Sequence, residues 1–280
     1  MARPFQLVDV FGVDPFTGNP LAVIADADGL TTDAMQAITR WLNLSETAFL
    51  LTPTQPDADY RVRIFTLAHE LPFAGHPTLG SCHAWLAAGG RSRRDGLVMQ
   101  ECGAGMVPVR NAGAELAFAA PPLLRGGTPT EADIAEVAAV LRIARDRIVD
   151  AQWVDNGPGW IAVMLDSAEA VLAIEPARNH HRRIDIGIVG PHAAGAAAAY
   201  EIRAIFSDAQ GALIEDPATG SLNASVGQWL FASGRVRDGY IAAQGARLGR
   251  NGRITVTQDG DGQVWVSGRT ITLFSGHTAD

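Results

Sequence analysis

The sequence predicts an α+β protein made of two similar halves, each a mostly antiparallel sheet wrapped around one apolar helix. Two observations carry this prediction. The 280 residues consist mainly of short strand-like runs separated by turns rich in glycine and proline, with few long helical patterns. In addition, one order of polar segment, apolar helix and strands occurs twice, about 140 residues apart, which indicates a duplicated domain rather than a short repeat.

The two copies are centred on apolar helices that follow polar segments. The first helix is predicted over 75–88, and the second from about Pro217 to Ser233, with Asp216 just before it. Free backbone N–H groups at such a helix start, together with the hydroxyl of Ser221, suit a carboxylate or another anion. Taken alone, Asp216 fits an ordinary N-cap. The duplication leads us to expect that both helix starts face one cleft between the halves.

The other elements recur in a similar order. Thr32 is predicted to cap a helix that ends near Leu42 with Trp41 on its buried side, and Thr130 with Asp133 caps a helix in the second half. Strands are predicted at 5–11, 21–25, 46–51, 60–65, 97–101, 106–110 and 115–119 in the first half, and at 160–165, 184–189, 201–206, 240–244, 253–257, 264–267 and 270–274 in the second.

The stretch 121–127 is rich in proline and glycine and is the strongest linker signal in the chain. We therefore divide the chain into an N-terminal half, residues 1–120, and a C-terminal half, residues 121–280, from which the last strand can cross back to the first half. Each half is long enough to bury its own core.

Charge and composition exclude several classes of partner. The net charge is −8, and no basic stripe with interleaved aromatic residues is present, so nucleic acid is not expected to bind. We see no apolar leader and no run of membrane-spanning length, so no membrane partner is expected. Two cysteines without disulfide or metal spacing fit a reducing cytoplasm.

The chain contains no lysine. This excludes a pyridoxal-phosphate Schiff base and a Walker A loop, each of which requires one. No Gly-x-Gly-x-x-Gly fingerprint follows a strand, and His180-His181 lacks partners at metal-ligand spacing. We therefore expect neither a cofactor nor a metal.

Glu46 is the strongest catalytic candidate in the residue pattern. It is one carboxylate at the mouth of an apolar strand, where partial desolvation would raise its pKa toward a range useful for proton transfer. The alternative is an ordinary carboxylate at a strand edge. A lone histidine such as His76 is more often structural, but its place at a repeated helix start, equivalent to Asp216, favours a functional role.

Several motifs carry a family resemblance. They lie in order along nearly the whole chain: Asp9-x-Phe11, Gly18-Asn19-Pro20, Asn43-Leu44-Ser45-Glu46-Thr47, Glu70-Leu71-Pro72-Phe73-Ala74-Gly75-His76-Pro77-Thr78 and Glu215-Asp216-Pro217-Ala218-Thr219-Gly220-Ser221. Together they resemble the PhzF family of phenazine-biosynthesis-like isomerases. The resemblance implies the diaminopimelate-epimerase-like fold, in which two pseudo-symmetric curled sheets each surround a helix.

The same resemblance implies a cofactor-free isomerase that acts by proton transfer on a small carboxylate, commonly as a homodimer. The catalytic residues would be Glu46, His76 and Asp216. The substrate-binding residues would be Asn19, Ser45, Gly75, Gly220 and Ser221. The motif departs from the usual family pattern at Thr66-Leu67, where Thr-Pro is common.

Two other functions remain open at this point. An epimerase or racemase could use the same fold, but related enzymes carry a thiol at each helix start, where this chain has Ala74 and Thr219. A non-catalytic binding protein could also retain the fold. The combination of Glu46, His76 and Asp216 argues against that reading, because a site that has lost its reaction does not need to keep a base.

Overall fold

The computed structural model describes residues 2–111, 115–208 and 210–279. The chain divides into two compact units. The first comprises residues 1–119 together with 267–280, and the second comprises residues 120–266. The C-terminal strand thus belongs with the N-terminal residues, since it pairs along its length with the first strand.

The first unit is a sheet with two helices. Its elements are β1 (Pro4–Val10), β2 (Asn19–Ile24), α1 (Thr32–Leu42), β3 (Glu46–Leu51), β4 (Tyr60–Thr66), β5 (Glu70–Leu71), α2 (Gly75–Ala87), β6 (Leu97–Cys102), β7 (Gly105–Asn111), β8 (Leu116–Ala119) and β17 (Thr270–His277). Most pairs are antiparallel, while β2–β3 and β4–β6 are parallel. Helix α2 packs against β1, β2, β3 and β8 and is buried over most of its length.

The second unit repeats this plan. Its elements are α3 (Glu131–Leu141), β9 (Asp150–Trp153), β10 (Trp160–Met164), α4 (Ala168–Leu172), β11 (Asp185–Pro191), β12 (Tyr200–Ser207), β13 (Leu213–Asp216), α5 (Gly220–Ala232), β14 (Tyr240–Gln244), β15 (Gly252–Gln258) and most of β16 (Val264–Gly268). Short 3₁₀ turns lie at Arg145–Arg147 and Ala246–Leu248. The parallel pairs are β10–β11 and β12–β14, and the other pairs described are antiparallel.

The strand order shows the duplication directly. In each unit an antiparallel pair is followed by a parallel pair, two further antiparallel pairs, the apolar helix and a second parallel pair. The predicted fold class is therefore confirmed.

A sheet that wraps around a helix needs close contact between helix and strands, and glycine residues on the helices allow it. A Cβ on Gly80 would lie 2.5 Å from Leu21 Cδ2, and one on Gly227 would lie 2.6 Å from Val256 Cγ1.

Three local predictions were wrong. The N-cap of α1 is Thr31, whose hydroxyl accepts from the Ala34 N–H, and not Thr32. Helix α5 begins at Gly220, not at Pro217, because strand β13 continues through Asp216 and the chain needs the next three residues to turn. Trp41 is 81% exposed rather than buried. The inward face of α1 is centred on Met35 and Thr39, one helical turn apart, and this places Trp41 on the far side.

Candidate active site

Glu46 begins strand β3 and pairs with Thr66 of β4. The four residues that follow it are buried, while its own side chain is 17% exposed. The carboxylate thus lies where an apolar strand opens toward solvent, as the sequence predicted. Because neighbouring apolar atoms remove part of its hydration, this is a position where a carboxyl can exchange a proton with a carbon acid.

His76 is the second residue of α2 and is 3% exposed. Its Nε2 lies 3.6 Å from Oε2 of Glu46, and its Nδ1 lies 3.3 Å from the amide nitrogen of Asn19. Burial lowers the pKa of His76 to about 3, and a hydrogen bond with the Pro20 backbone opposes that effect only in part. The imidazole is therefore neutral near pH 7. Glu46 and His76 face each other as carboxyl and uncharged imidazole, not as an ion pair.

The start of α2 offers backbone donors beside this pair. The N-cap, Ala74, has extended dihedrals and supplies no side-chain hydrogen bond, and the first turn contains no acidic residue. No side chain therefore caps this turn, in which Pro77 carries no N–H and the Thr78 N–H bonds to the Ala74 carbonyl. The helix dipole favours a negative group beside the remaining N–H groups, those of Gly75 and His76. Gly75, the first residue of the helix, is buried, and Ser45 lies half-buried just before β3.

In the second unit, Asp216 ends β13 and is 9% exposed. It is not the N-cap of α5, which is Thr219, and Thr219 makes no side-chain capping bond. Instead the Thr219 hydroxyl donates to Oδ2 of Asp216 at 2.5 Å. Like α2, α5 begins without an acidic residue in its first turn, and Gly220 at its first position is buried. Both central helices therefore start with the same uncapped arrangement.

Ser221 is positioned by two residues that sequence reasoning missed. The indole Nε1 of Trp160 donates to Oγ of Ser221 at 3.3 Å, and the Asn156 amide donates to the Ser221 backbone carbonyl at 2.9 Å. Trp160 begins β10 and Asn156 lies in the loop before it, 61 and 65 residues upstream of Ser221. No local pattern marks such partners, because strand pairing brings them to the helix.

A buried glutamine anchors each central helix start. Gln244 is 1% exposed; its Oε1 accepts from the Thr219 backbone N–H and the Asn223 amide, and its Nε2 donates to the Asp216 carbonyl and the Thr219 hydroxyl. In the first unit, Gln100 donates to the Thr78 hydroxyl and accepts from Tyr60. The sequence repeat could have identified these two glutamines, because each follows its central helix at a similar distance.

The first unit thus brings together Asn19, Glu46 and His76, with Gly75 next to them in the chain. The second unit brings together Asp216, Gly220 and Ser221 around one helix start. The expectation that both helix starts face one cleft stays a prediction, as do the roles given to these eight residues including Ser45.

The two cysteines do not supply a pair of catalytic thiols. Cys82 is buried within α2, and burial raises its pKa to about 12. Burial also raises the pKa of Cys102. Both are therefore protonated near neutral pH, and a thiol, unlike a thiolate, is a poor base. Neither lies at a helix start, where Ala74 and Thr219 stand as N-caps.

His180 and His181 have a neighbour that the sequence did not indicate. Within the described part of the chain, Glu136 of α3 places a carboxylate oxygen 2.9 Å from Nε2 of His180, and the possible ligand atoms of all three lie within 4.8 Å of one another. The expectation that this pair lacks partners was wrong, because 44 residues separate Glu136 from His180. Arg182 also pairs with both oxygens of Glu136, so the carboxylate is already neutralised by a cation. Absence of a functional metal stays a prediction.

The duplicated α+β fold is the diaminopimelate-epimerase-like fold, which is shared by solved PhzF-family proteins and by a hydroxyproline epimerase. A family profile described as phenazine biosynthesis-like protein, of the PhzC–PhzF group, matches residues 8–276. The chain therefore belongs to the PhzF family.

Individual relatives agree with this assignment. The chain is 32% identical to a trans-2,3-dihydro-3-hydroxyanthranilate isomerase of Pseudomonas aeruginosa, over 97% of this chain and 98% of the relative. It is 34% identical to the antisense-enhancing sequence 1 protein of Schizosaccharomyces pombe, over 97% of each chain. Among solved structures, a predicted epimerase of Pseudomonas aeruginosa superposes with a TM-score of 0.81 at 28% identity, over 99% of each chain.

These findings make the protein an enzyme of the isomerase class with a small-molecule substrate. No helix in the described residues is long and apolar enough to cross a membrane.

Proposed function

We propose that this protein is a cofactor-independent isomerase of a small carboxylate metabolite, with Glu46 as the group that removes and returns the proton. The single observation that carries the proposal is the 3.6 Å approach of Glu46 Oε2 to the buried, neutral His76. A carbon acid needs a base at one position and an acid at another. One carboxyl can serve both purposes if the substrate stays bound between the two steps.

In this proposal His76 orients or donates to the substrate. Its Nε2 is buried and makes no hydrogen bond within the described residues. An uncharged imidazole can donate one hydrogen bond without bringing a full positive charge, and Asn19, 3.3 Å from Nδ1, holds the ring. Ser45 and the N–H groups that begin with Gly75 would bind the substrate carboxylate.

From the sequence repeat we propose that the second unit contributes Asp216 as a further catalytic group, with Gly220 and Ser221 binding substrate. The Pseudomonas aeruginosa relative is named for an isomerisation of a dihydro-hydroxyanthranilate, which supports a small carboxylate substrate. We also propose a homodimer and a cytoplasmic location; two free cysteines fit a reducing compartment.

Solvent exchange tests the proposal. Candidate carboxylates are incubated with the protein in D₂O, and mass spectrometry and NMR locate deuterium on carbon. Glu46→Gln should lower turnover by roughly 10²–10⁴-fold, the range that general acid–base catalysis supplies. Glu70→Gln, which changes an exposed glutamate of the same unit, is the matched control. Near-normal turnover by Glu46→Gln would refute the assignment of Glu46 as the group that transfers the proton.

The competing reaction is epimerisation, which the name of the similar solved structure favours. The raised pKa values of Cys82 and Cys102 and their positions away from the helix starts argue against a mechanism with two thiolates. The exchange experiment separates the two reactions. An isomerisation moves the double bond and places deuterium at a new carbon, whereas an epimerisation places it at the original carbon with inverted configuration.

A further inference from the structure

The second unit contains a cavity of about 170 Å³, to whose lining Gln244, the residue that anchors the start of α5, also contributes. It is lined by charged side chains, Glu201, Arg250 and Arg253, together with His192, Asn251 and a segment of small residues, 196–198. These come from β12, β15 and the loops beside them. The volume is below the several hundred Å³ of pockets for drug-sized ligands, so an occupant would have only a few heavy atoms.

Among the residues that line this cavity, Glu201 is unusual because its carboxylate is buried and only partly hydrogen-bonded. It is 3% exposed, and only one of its carboxylate oxygens, Oε2, has a partner: Nε2 of His192 at 3.1 Å. The other oxygen, Oε1, is buried and accepts no hydrogen bond within the described residues. A buried carboxylate oxygen that lacks a donor carries a free-energy cost, which is larger where the group is charged. A donor from the cavity would remove that cost.

The nearest cation on the same strand does not supply the donor. Arg203 donates through Nε and one terminal nitrogen to Glu215, and through the other terminal nitrogen to the carbonyls of Val171 and Ile174. Four of its five N–H groups are thus engaged. Burial raises the pKa of Glu201, although His192 and two arginines oppose the effect, which is consistent with a carboxylate that lacks donors.

Glu201 lies on the face of β12 opposite α5. Side chains alternate along a strand, so Glu201 and Arg203 share one face of β12 while Ala204 is on the other. Ala204 pairs with Gly187, and a Cβ on Gly187 would lie 2.5 Å from Leu222 of α5. The face of Ala204 is therefore the α5 face. Glu201 therefore points away from α5.

The charged residues that line the cavity restrict which molecules can bind there. An inorganic anion would meet the carboxylate of Glu201, and a simple cation would meet Arg250 and Arg253. Arg253 donates one hydrogen bond to the Gly252 carbonyl, and its guanidinium carries four other N–H groups. A molecule with a donor at one end and a carboxylate at the other satisfies both ends. We propose that this cavity binds a small α-amino acid, with its ammonium group on Glu201 Oε1 and its carboxylate on Arg253 and Asn251.

Isothermal titration calorimetry on the full chain tests this site. The probes are glycine, L-alanine and L-serine, with methylamine and acetate as molecules that carry only one of the two charged ends. We expect at least one amino acid to bind at millimolar concentration, and methylamine and acetate to bind at least about tenfold more weakly. Equal binding of methylamine or acetate, or no amino-acid binding at all, would overturn the proposal.

Two variants locate the binding. Glu201→Gln keeps the size of the side chain and removes its charge, and Arg253→Met keeps an unbranched side chain and removes the guanidinium; each should weaken amino-acid binding at least about tenfold. Glu169→Gln, an exposed glutamate of α4, should bind as the unmodified protein does. If Glu201→Gln does not fold, as judged by circular dichroism, Arg253→Met and the probe comparison decide the result. Unchanged binding by a folded Arg253→Met would place the amino acid elsewhere and refute the site.

Discussion

Because His76 is buried, the free energy of unfolding should depend on pH in a measurable way. Its ring is buried and neutral, with a pKa lowered to about 3, whereas in the unfolded chain the ring regains a pKa near its usual 6.5. Between these two values the unfolded state binds one proton more than the folded state. Stability that depends on neutral His76 is therefore complete above the unfolded pKa and is lost as the pH falls toward the folded one.

The size of the effect follows from the two pKa values. Each pKa unit corresponds to about 1.4 kcal/mol, so lowering the pH from about 7 to about 5 should remove about 2 kcal/mol of unfolding free energy through His76 alone. His76→Gln keeps a polar side chain but cannot titrate. The stability advantage of the unmodified protein over this variant should therefore shrink by about 2 kcal/mol across the same interval.

Urea unfolding followed by tryptophan fluorescence at several pH values measures this difference. Other titrating groups, including His83, whose pKa is also lowered by burial, are present in both proteins and cancel in the comparison. His69→Gln changes an exposed histidine of the same unit and should keep the slope of the unmodified protein. Parallel stability curves for His76→Gln and the unmodified protein would show that His76 is not a buried neutral ring.

Three further outcomes are expected. Gln244→Leu should destabilise the protein more than Gln100→Leu in urea unfolding, because it leaves four hydrogen-bonding groups without their partner instead of two; equal losses would contradict the anchoring role. Thr130→Ala removes the capping box of α3 and should cost about 1 kcal/mol by the same measurement, while no loss would show that the cap is dispensable. Purified protein should remain active after exhaustive dialysis against a chelator, and activity that returns only with added metal or cofactor would refute the cofactor-free proposal.

The local pattern of the sequence determined much of the fold. Periodicity and capping residues predicted α1, α2 and α3 to within about two residues, because these signals act over one or two turns. The repeated order of elements predicted two similar halves, and the structure has that plan. Glu46 and His76 could be selected because each stands out from apolar or helical surroundings close to it in the chain.

Only the tertiary structure decided which side chains meet. The 3.6 Å approach of Glu46 to His76 depends on β2, β3 and α2 packing together, and the position of Glu136 beside His180 depends on α3 packing near a loop 44 residues later. Likewise, Trp160 reaches Ser221 through strand register. A sequence records which residues have the right chemistry within a few positions of each other. Contacts between distant residues depend on register and packing, in which a shift of one position turns a strand residue to the opposite face.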